Sequence, residues 1–149
     1  MTGAGKRGWA WLRWLVLAVL TAGMILRPDR FAGLFRPFAP EGAPVIYDRA
    51  SLADLTLSHL GLVVLAMLAS VLLALTLAVL VTRRAGAEFL PLSRMLANFG
   101  QTFPPVAVLA LAVPLMGFGN GPTLLALFLY GLLPIFENTL AGLQGVPDS

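Results

Sequence analysis

Between Leu62 and Val81 the chain carries no charged residue, and the run ends abruptly at Arg83 and Arg84. A helix needs about 20 apolar residues to cross a hydrocarbon core of about 30 Å, so this run reads as a membrane span. Within it Ala66, Ser70, Ala74 and Ala78 recur every four residues and fall in one stripe, with leucine and valine filling the rest. Small stripes let helix backbones approach closely in a membrane, although an alanine-rich run can also produce such a pattern by chance. The whole composition agrees with a membrane setting: 58% of residues are hydrophobic and 11% charged. Mean hydropathy is +0.87. A chain of 149 residues has room for about four such spans and short connections.

A first span is expected from about Gly8 to Leu26, with Lys6 and Arg7 before it and Trp9, Trp11 and Trp14 at its start as an interfacial belt. Arg13 lies one turn inside, where its stem can snorkel back to the headgroups. The alternative is a secretory signal peptide ending near Thr21, Ala22 and Gly23, a loose fit to small-x-small cleavage. The loop from Arg27 to about Asp54 contains Pro28, Pro37, Pro40 and Pro44 among balanced charges and is expected to be irregular, draped on the membrane surface. Ser51 or Asp54 is a candidate N-cap for the helix that follows. Third and fourth spans, about Pro104 to Phe118 and Pro122 to Phe136, form a hairpin joined by the uncharged turn Gly117, Phe118, Gly119, Asn120, Gly121. Both are short for a bilayer and require tilt or local thinning.

Arg83, Arg84 and Arg94 against Glu88 alone place residues 83 to 101 in the cytoplasm by the positive-inside rule. Arg27 and Arg30 argue the other way, but Asp29 sits between them. The expectation is an even number of spans in a cytoplasmic membrane, with both termini inside and the 117 to 121 turn outside. Ten Lys and Arg against seven Asp and Glu give a charge of +3, spread along the flanks of the spans as topology signals and not gathered into a nucleic-acid patch.

Chemistry is sparse. With no cysteine there is no disulfide, thiol nucleophile or iron–sulfur cluster, and the redox compartment cannot be read. His59 is the single histidine and reads as an interfacial polar residue, not a metal ligand, because no second ligand stands at helical spacing. Glu137 and Asn138 read as interfacial, not as a proton relay. No catalytic residues, metal site or cofactor are expected, and Gly117, Gly119 and Gly121 lack the strand-to-helix context of a nucleotide fingerprint. The prolines say more. Pro104 and Pro122 suit a first helical turn. Pro114 and Pro134 fall inside spans, where each frees the carbonyl four residues earlier, at Ala110 and Tyr130, and is expected to kink its helix. In hydrocarbon a freed carbonyl needs a partner, which fits a bundle with a pathway or a purely structural kink.

Three stretches carry a family resemblance. HLGLVVLAMLASVLLALTLAVLVTRR (59 to 84), FGQTFPPVAVLALAVPLMGFGNGPTLLALFLYGLLPIFENT (99 to 139) and NTLAGLQGV (138 to 146) resemble the membrane permease subunits of binding-protein-dependent ABC importers, most closely the glycine betaine, carnitine and choline group. They divide the chain into residues 1 to 58, an N-terminal helix and external loop, and residues 59 to 149, a permease transmembrane domain. The resemblance implies an all-α integral membrane protein of about four transmembrane helices with a partial MetI-like importer fold. It implies no enzymatic activity in the chain itself. The partners would be a separate ABC ATPase subunit, an extracytoplasmic substrate-binding protein and a second permease subunit, homo- or heterodimeric, within the lipid bilayer.

By the same resemblance, Asn138, Thr139, Gly142, Leu143, Gly145 and Val146 would begin the coupling loop to the ATPase. Gln101, Thr102, Pro104, Pro114 and Pro134 would shape the pathway. Two departures stand out. Residues 75 to 79 read LTLAV where relatives often carry a Pro-x-Gly break, and the sequence stops before the Glu-Ala-Ala part of the coupling motif. That ending gives the expectation of an incomplete permease whose small-residue stripe lacks its partner helix. The alternative reading is a small membrane-anchored interaction or assembly protein that transports nothing.

Overall fold

A computed structural model describes residues 4–145. Among them every regular element is helical: α1 (Ala4–Leu26), α2 (Ala32–Phe35), α3 (Leu52–Thr82), α4 (Leu90–Thr102), α5 (Pro105–Met116) and α6 (Asn120–Gln144). Contacts divide the chain into two units, one up to His59 and one from Leu60 onward.

In the first unit, α1 leaves Trp9, Trp11 and Trp14 at 60 to 73% exposure. The expected irregular loop is partly helical. Pro28 and Pro37 each sit in the first turn of a short 3-10 segment, Pro28–Phe31 and Arg36–Phe38, where a missing N–H costs nothing. Pro40 and Pro44 then fall in a stretch without helix. Ser51 closes the loop: its hydroxyl accepts from the Asp54 amide at 3.0 Å and donates to the Asp54 carboxylate at 2.6 Å. This reciprocal cap starts α3 ten residues before the apolar run, and His59 lies exposed on its third turn.

The second unit packs α3, α4 and α6. The residues that α3 buries are Ala66, Ser70, Ala74, Ala78 and Val81. Lipid tails are as apolar as leucine, so the helices gain little by hiding hydrophobic surface from water and associate through close van der Waals fit and hydrogen bonds. The stripe does not lack a partner: Ala74, Ala78 and Val81 form one buried cluster with Ala97 of α4 and Leu132, Phe136 and Leu140 of α6. Ser70 Oγ lies 2.9 Å from the Ala66 carbonyl on its own helix and 2.9 Å from the Phe128 carbonyl on α6. A Cβ at Gly131 would stand 2.9 Å from that hydroxyl, so glycine there permits the approach.

The connection expected at 83 to 101 is largely helix. α4 buries Ser93, Ala97 and Gly100, a small-residue face laid on α6. A Cβ at Gly100 would meet Leu129 Cβ and the Leu129 carbonyl oxygen, each at 2.6 Å.

The third span is also revised. α5 has 12 residues, and at about 1.5 Å per residue it is far shorter than a bilayer core. Only together with the residues from Ala87 to Thr102 does it reach span length, and the pair is bent by 91°. Among the described residues three helices are long and apolar enough to cross a membrane, or four if the bent pair counts as one.

Candidate functional site

The site follows from Phe103, Pro104 and Pro105. A residue before proline is pushed out of the α region, so two consecutive prolines force two extended residues: Phe103 at φ −110°, ψ 143° and Pro104 at φ −56°, ψ 145°. The break between α4 and α5 is therefore written into the backbone. The Pro104 carbonyl restarts the helix by accepting from the amides of Ala107 at 2.8 Å and Val108 at 3.2 Å.

Two hydrogen bonds tie this break to α6. Gln101 Nε2 donates to the Tyr130 carbonyl at 3.1 Å, and the Tyr130 hydroxyl donates to the Phe103 carbonyl. Pro134 explains the first, since it has no N–H to give to Tyr130, four residues earlier. α6 runs through Pro134, and α5 through Pro114, as single helices. A ring edge of Phe99 meets Phe103 with centroids 5.7 Å apart, and Thr102 Oγ1 donates to Asn98 O at 3.2 Å. Under the break, Phe99, Gly100 and Phe103 of α4, Val108, Leu111, Ala112 and Leu115 of α5, and Leu125 and Leu129 of α6 line an apolar cavity of about 240 Å³.

Nearer the end of α6, Arg94 grips Glu137 with two bonds, Nε to Oε1 at 2.9 Å and Nη2 to Oε2 at 3.2 Å. Sequence reading treated these as a topology signal and an interfacial carboxylate; their fork geometry makes them a second tie between α4 and α6. The turn from α5 to α6 uses Gly117 at φ +78° and Gly119 at φ +135°, conformations that side chains disfavour.

The described residues of the stretch that the resemblance puts at the start of a coupling loop lie in the last turns of α6 and its C-cap. Asn138, Gly142 and Leu143 are exposed, Thr139 is half-buried, and Gly145 is the C-cap, its amide bonded to Ala141 O at 3.0 Å. Leu140, 1% exposed, anchors this end in the core. Val146 lies outside the described residues. The sequence reading found the Tyr130 carbonyl but not the positioning role of its side chain, and it missed Gly100. The spacing of Tyr130 to Pro134 was the available signal for the first, and the small residues at 93, 97 and 100 for the second. Among the described residues no three His, Cys, Asp or Glu side chains gather as metal ligands would.

Known proteins supply the remaining observation. The osmoprotectant import permease protein OsmY of Salmonella typhimurium is 44% identical over 91 residues, covering 61% of this chain and 39% of that protein. The choline transport system permease protein OpuBB of Bacillus subtilis is 39% identical over 61% of this chain and 41% of its own length. The chain resembles osmoprotectant-type ABC importer permeases. The glycine betaine/carnitine/choline transport system permease protein OpuCB of Bacillus subtilis is 38% identical over 59% of this chain and 40% of its own length. The chain thus spans about two fifths of the length of these curated relatives. No protein-family model matches it, and no solved structure matches it significantly.

Proposed function

We propose that the chain works as a transmembrane subunit of an ATP-driven ABC importer that carries quaternary ammonium osmolytes such as glycine betaine, choline or carnitine across a cytoplasmic membrane. The observation that carries this reading is the 38 to 44% identity, over about three fifths of the chain, to permeases named for osmoprotectants, choline and carnitine. The helical core supports it: α3, α4 and α6 pack through small residues, and the proline-broken α4–α5 segment stands against them.

In this reading ATP is hydrolysed by a separate ATPase subunit, and an extracytoplasmic binding protein delivers the solute. A second permease subunit completes the pathway. The exposed end of α6, with Asn138, Thr139, Gly142, Leu143 and Gly145, contacts the ATPase while Leu140 holds it to the core. Gln101, Thr102, Pro104, Pro114 and Pro134 shape the pathway side of the subunit, and both termini face the cytoplasm. Quaternary ammonium groups are commonly held in aromatic cages, and none can be assigned here, so solute choice rests with the binding protein.

The test is uptake of radiolabelled glycine betaine and choline by a host lacking its own osmolyte importers and expressing this gene with its neighbouring transport genes. Accumulation that disappears when this gene alone is deleted supports the reading. Unchanged accumulation after that deletion contradicts it.

A further inference from the structure

The double proline dictates that the chain breaks after Phe103, but a break alone does not fix where the next helix goes. The prolines confine Phe103 and Pro104 to extended values, but ψ still varies within that range and changes the direction of α5. α5 packs along α6 and is joined to it by the turn at Gly117 and Gly119, so contacts with α6 select its direction, and those at the break itself come from side chains. Around this junction two side chains cross between elements, and they act on its two sides. Gln101, in the last turn of α4, reaches the Tyr130 carbonyl at 3.1 Å; the Tyr130 ring, from the same residue of α6, returns its hydroxyl to the Phe103 carbonyl at the break itself. One residue of α6 thus accepts from α4 through its backbone and donates to the hinge through its side chain.

We propose that Gln101 and Tyr130 form a clasp that sets the direction of the α4–α5 break, with Pro134 as its enabling residue. In a regular helix the Tyr130 carbonyl would be engaged by the amide of residue 134. Proline leaves it open, so the clasp can close without competing with a helical bond. Gly100 permits the required distance, since any Cβ there would drive α4 away from Leu129. Below the clasp, Arg94 and Glu137 tie α4 to α6 a second time, so the clasp acts on the break and not on the seating of α4. The clasp is a conformational device: closed, it fixes one bend; open, it leaves the α4–α5 angle to the packing of α5 on α6 alone, and the angle broadens.

The chain has no native cysteine, so a spin-label pair can be placed at Met95→Cys on α4 and Leu115→Cys on α5, both exposed positions, at 65% and 88%. In lipid nanodiscs the parent pair should give one narrow distance. Gln101→Leu should abolish that single peak in favour of a broad distribution. Tyr130→Phe, which removes one oxygen atom and leaves the packing surface intact, should do the same, so the test does not depend on a variant that fails to fold. Gln101→Asn keeps the amide but is one methylene too short to reach, and should behave like Gln101→Leu. A narrow peak at the parent distance in both Gln101→Leu and Tyr130→Phe would overturn the clasp.

Discussion

Gln101 donates its side-chain amide to the Tyr130 carbonyl, the acceptor that Pro134 deprives of its helical donor. The pair predicts a thermodynamic coupling. Gln101→Leu should remove that bond and cost about 0.5 to 1.5 kcal/mol. In the Pro134→Ala background the helix supplies its own amide, so the same Gln101→Leu change should cost much less. Thermal unfolding of the four proteins of this cycle in detergent measures the difference. Equal costs in the two backgrounds would show that Gln101 does not serve the carbonyl freed by Pro134.

Glycines give a paired test of helix approach. A Cβ at Gly100 would overlap Leu129 at 2.6 Å, whereas nothing lies within 4 Å of one at Gly142. Gly100→Ala should therefore destabilise the protein by about 1 to 3 kcal/mol through overpacking. Gly142→Ala, in the same kind of helix but in open space, should stabilise it by up to about 1 kcal/mol through helix propensity. Melting temperatures that move in the same direction for both would contradict the α4–α6 packing.

Along α3 the small stripe can be probed for size and for polarity separately. Ala74 and Ala78 are fully buried against a cluster containing Leu132 and Phe136. Ala74→Leu or Ala78→Leu should separate α3 from α6 and sharply reduce the yield of monodisperse protein. Ser70→Ala removes one interhelical hydrogen bond and keeps the volume, so it should cost only about 0.6 kcal/mol, the usual worth of such bonds in membranes. A larger effect for Ser70→Ala than for Ala74→Leu would mean that the hydrogen bond, and not close packing, holds the pair.

How much of this was legible in the sequence depended on hydropathy. α3 is plain because no charge interrupts Leu62 to Val81, and α6 is plain for most of its length. α4 was hidden. Arg94, Asn98 and Gln101 make Leu90 to Thr102 read as a polar connection, while its helical signal, Ser93, Ala97 and Gly100 on one face, is made of residues too small to raise hydropathy. The helical length of α6 beyond Phe136 was not legible, because polar Glu137, Asn138 and Gln144 interrupt the apolar run while Leu140 keeps it in the core. The stripe on α3 was visible, but its partner was not, because close fit depends on a glycine, Gly131, in register across the interface. Pro134 pointed directly to Tyr130, and only the fold could show that Gln101 stands 29 residues earlier yet within reach.

Orientation in the membrane is testable with the same cysteine-free background. Asn120 begins α6 beside the glycine turn, and Ala87 precedes α4; both are exposed. Asn120→Cys should react with a membrane-impermeant maleimide in intact cells, and Ala87→Cys should react only after lysis. The reverse pattern would put the end of α6 on the outer side, away from any cytoplasmic ATPase.

We propose that this subunit lets ATP hydrolysis drive a quaternary ammonium solute across a membrane. The most direct measurement is solute accumulation in liposomes holding the full gene product with the ATPase and binding protein encoded beside it. ATP enclosed with the ATPase side should drive uptake of labelled betaine or choline against its gradient, and omission of this subunit should abolish it. Equal uptake with and without the subunit, or no ATP-dependent uptake of any quaternary ammonium solute by the complete set, would contradict the account.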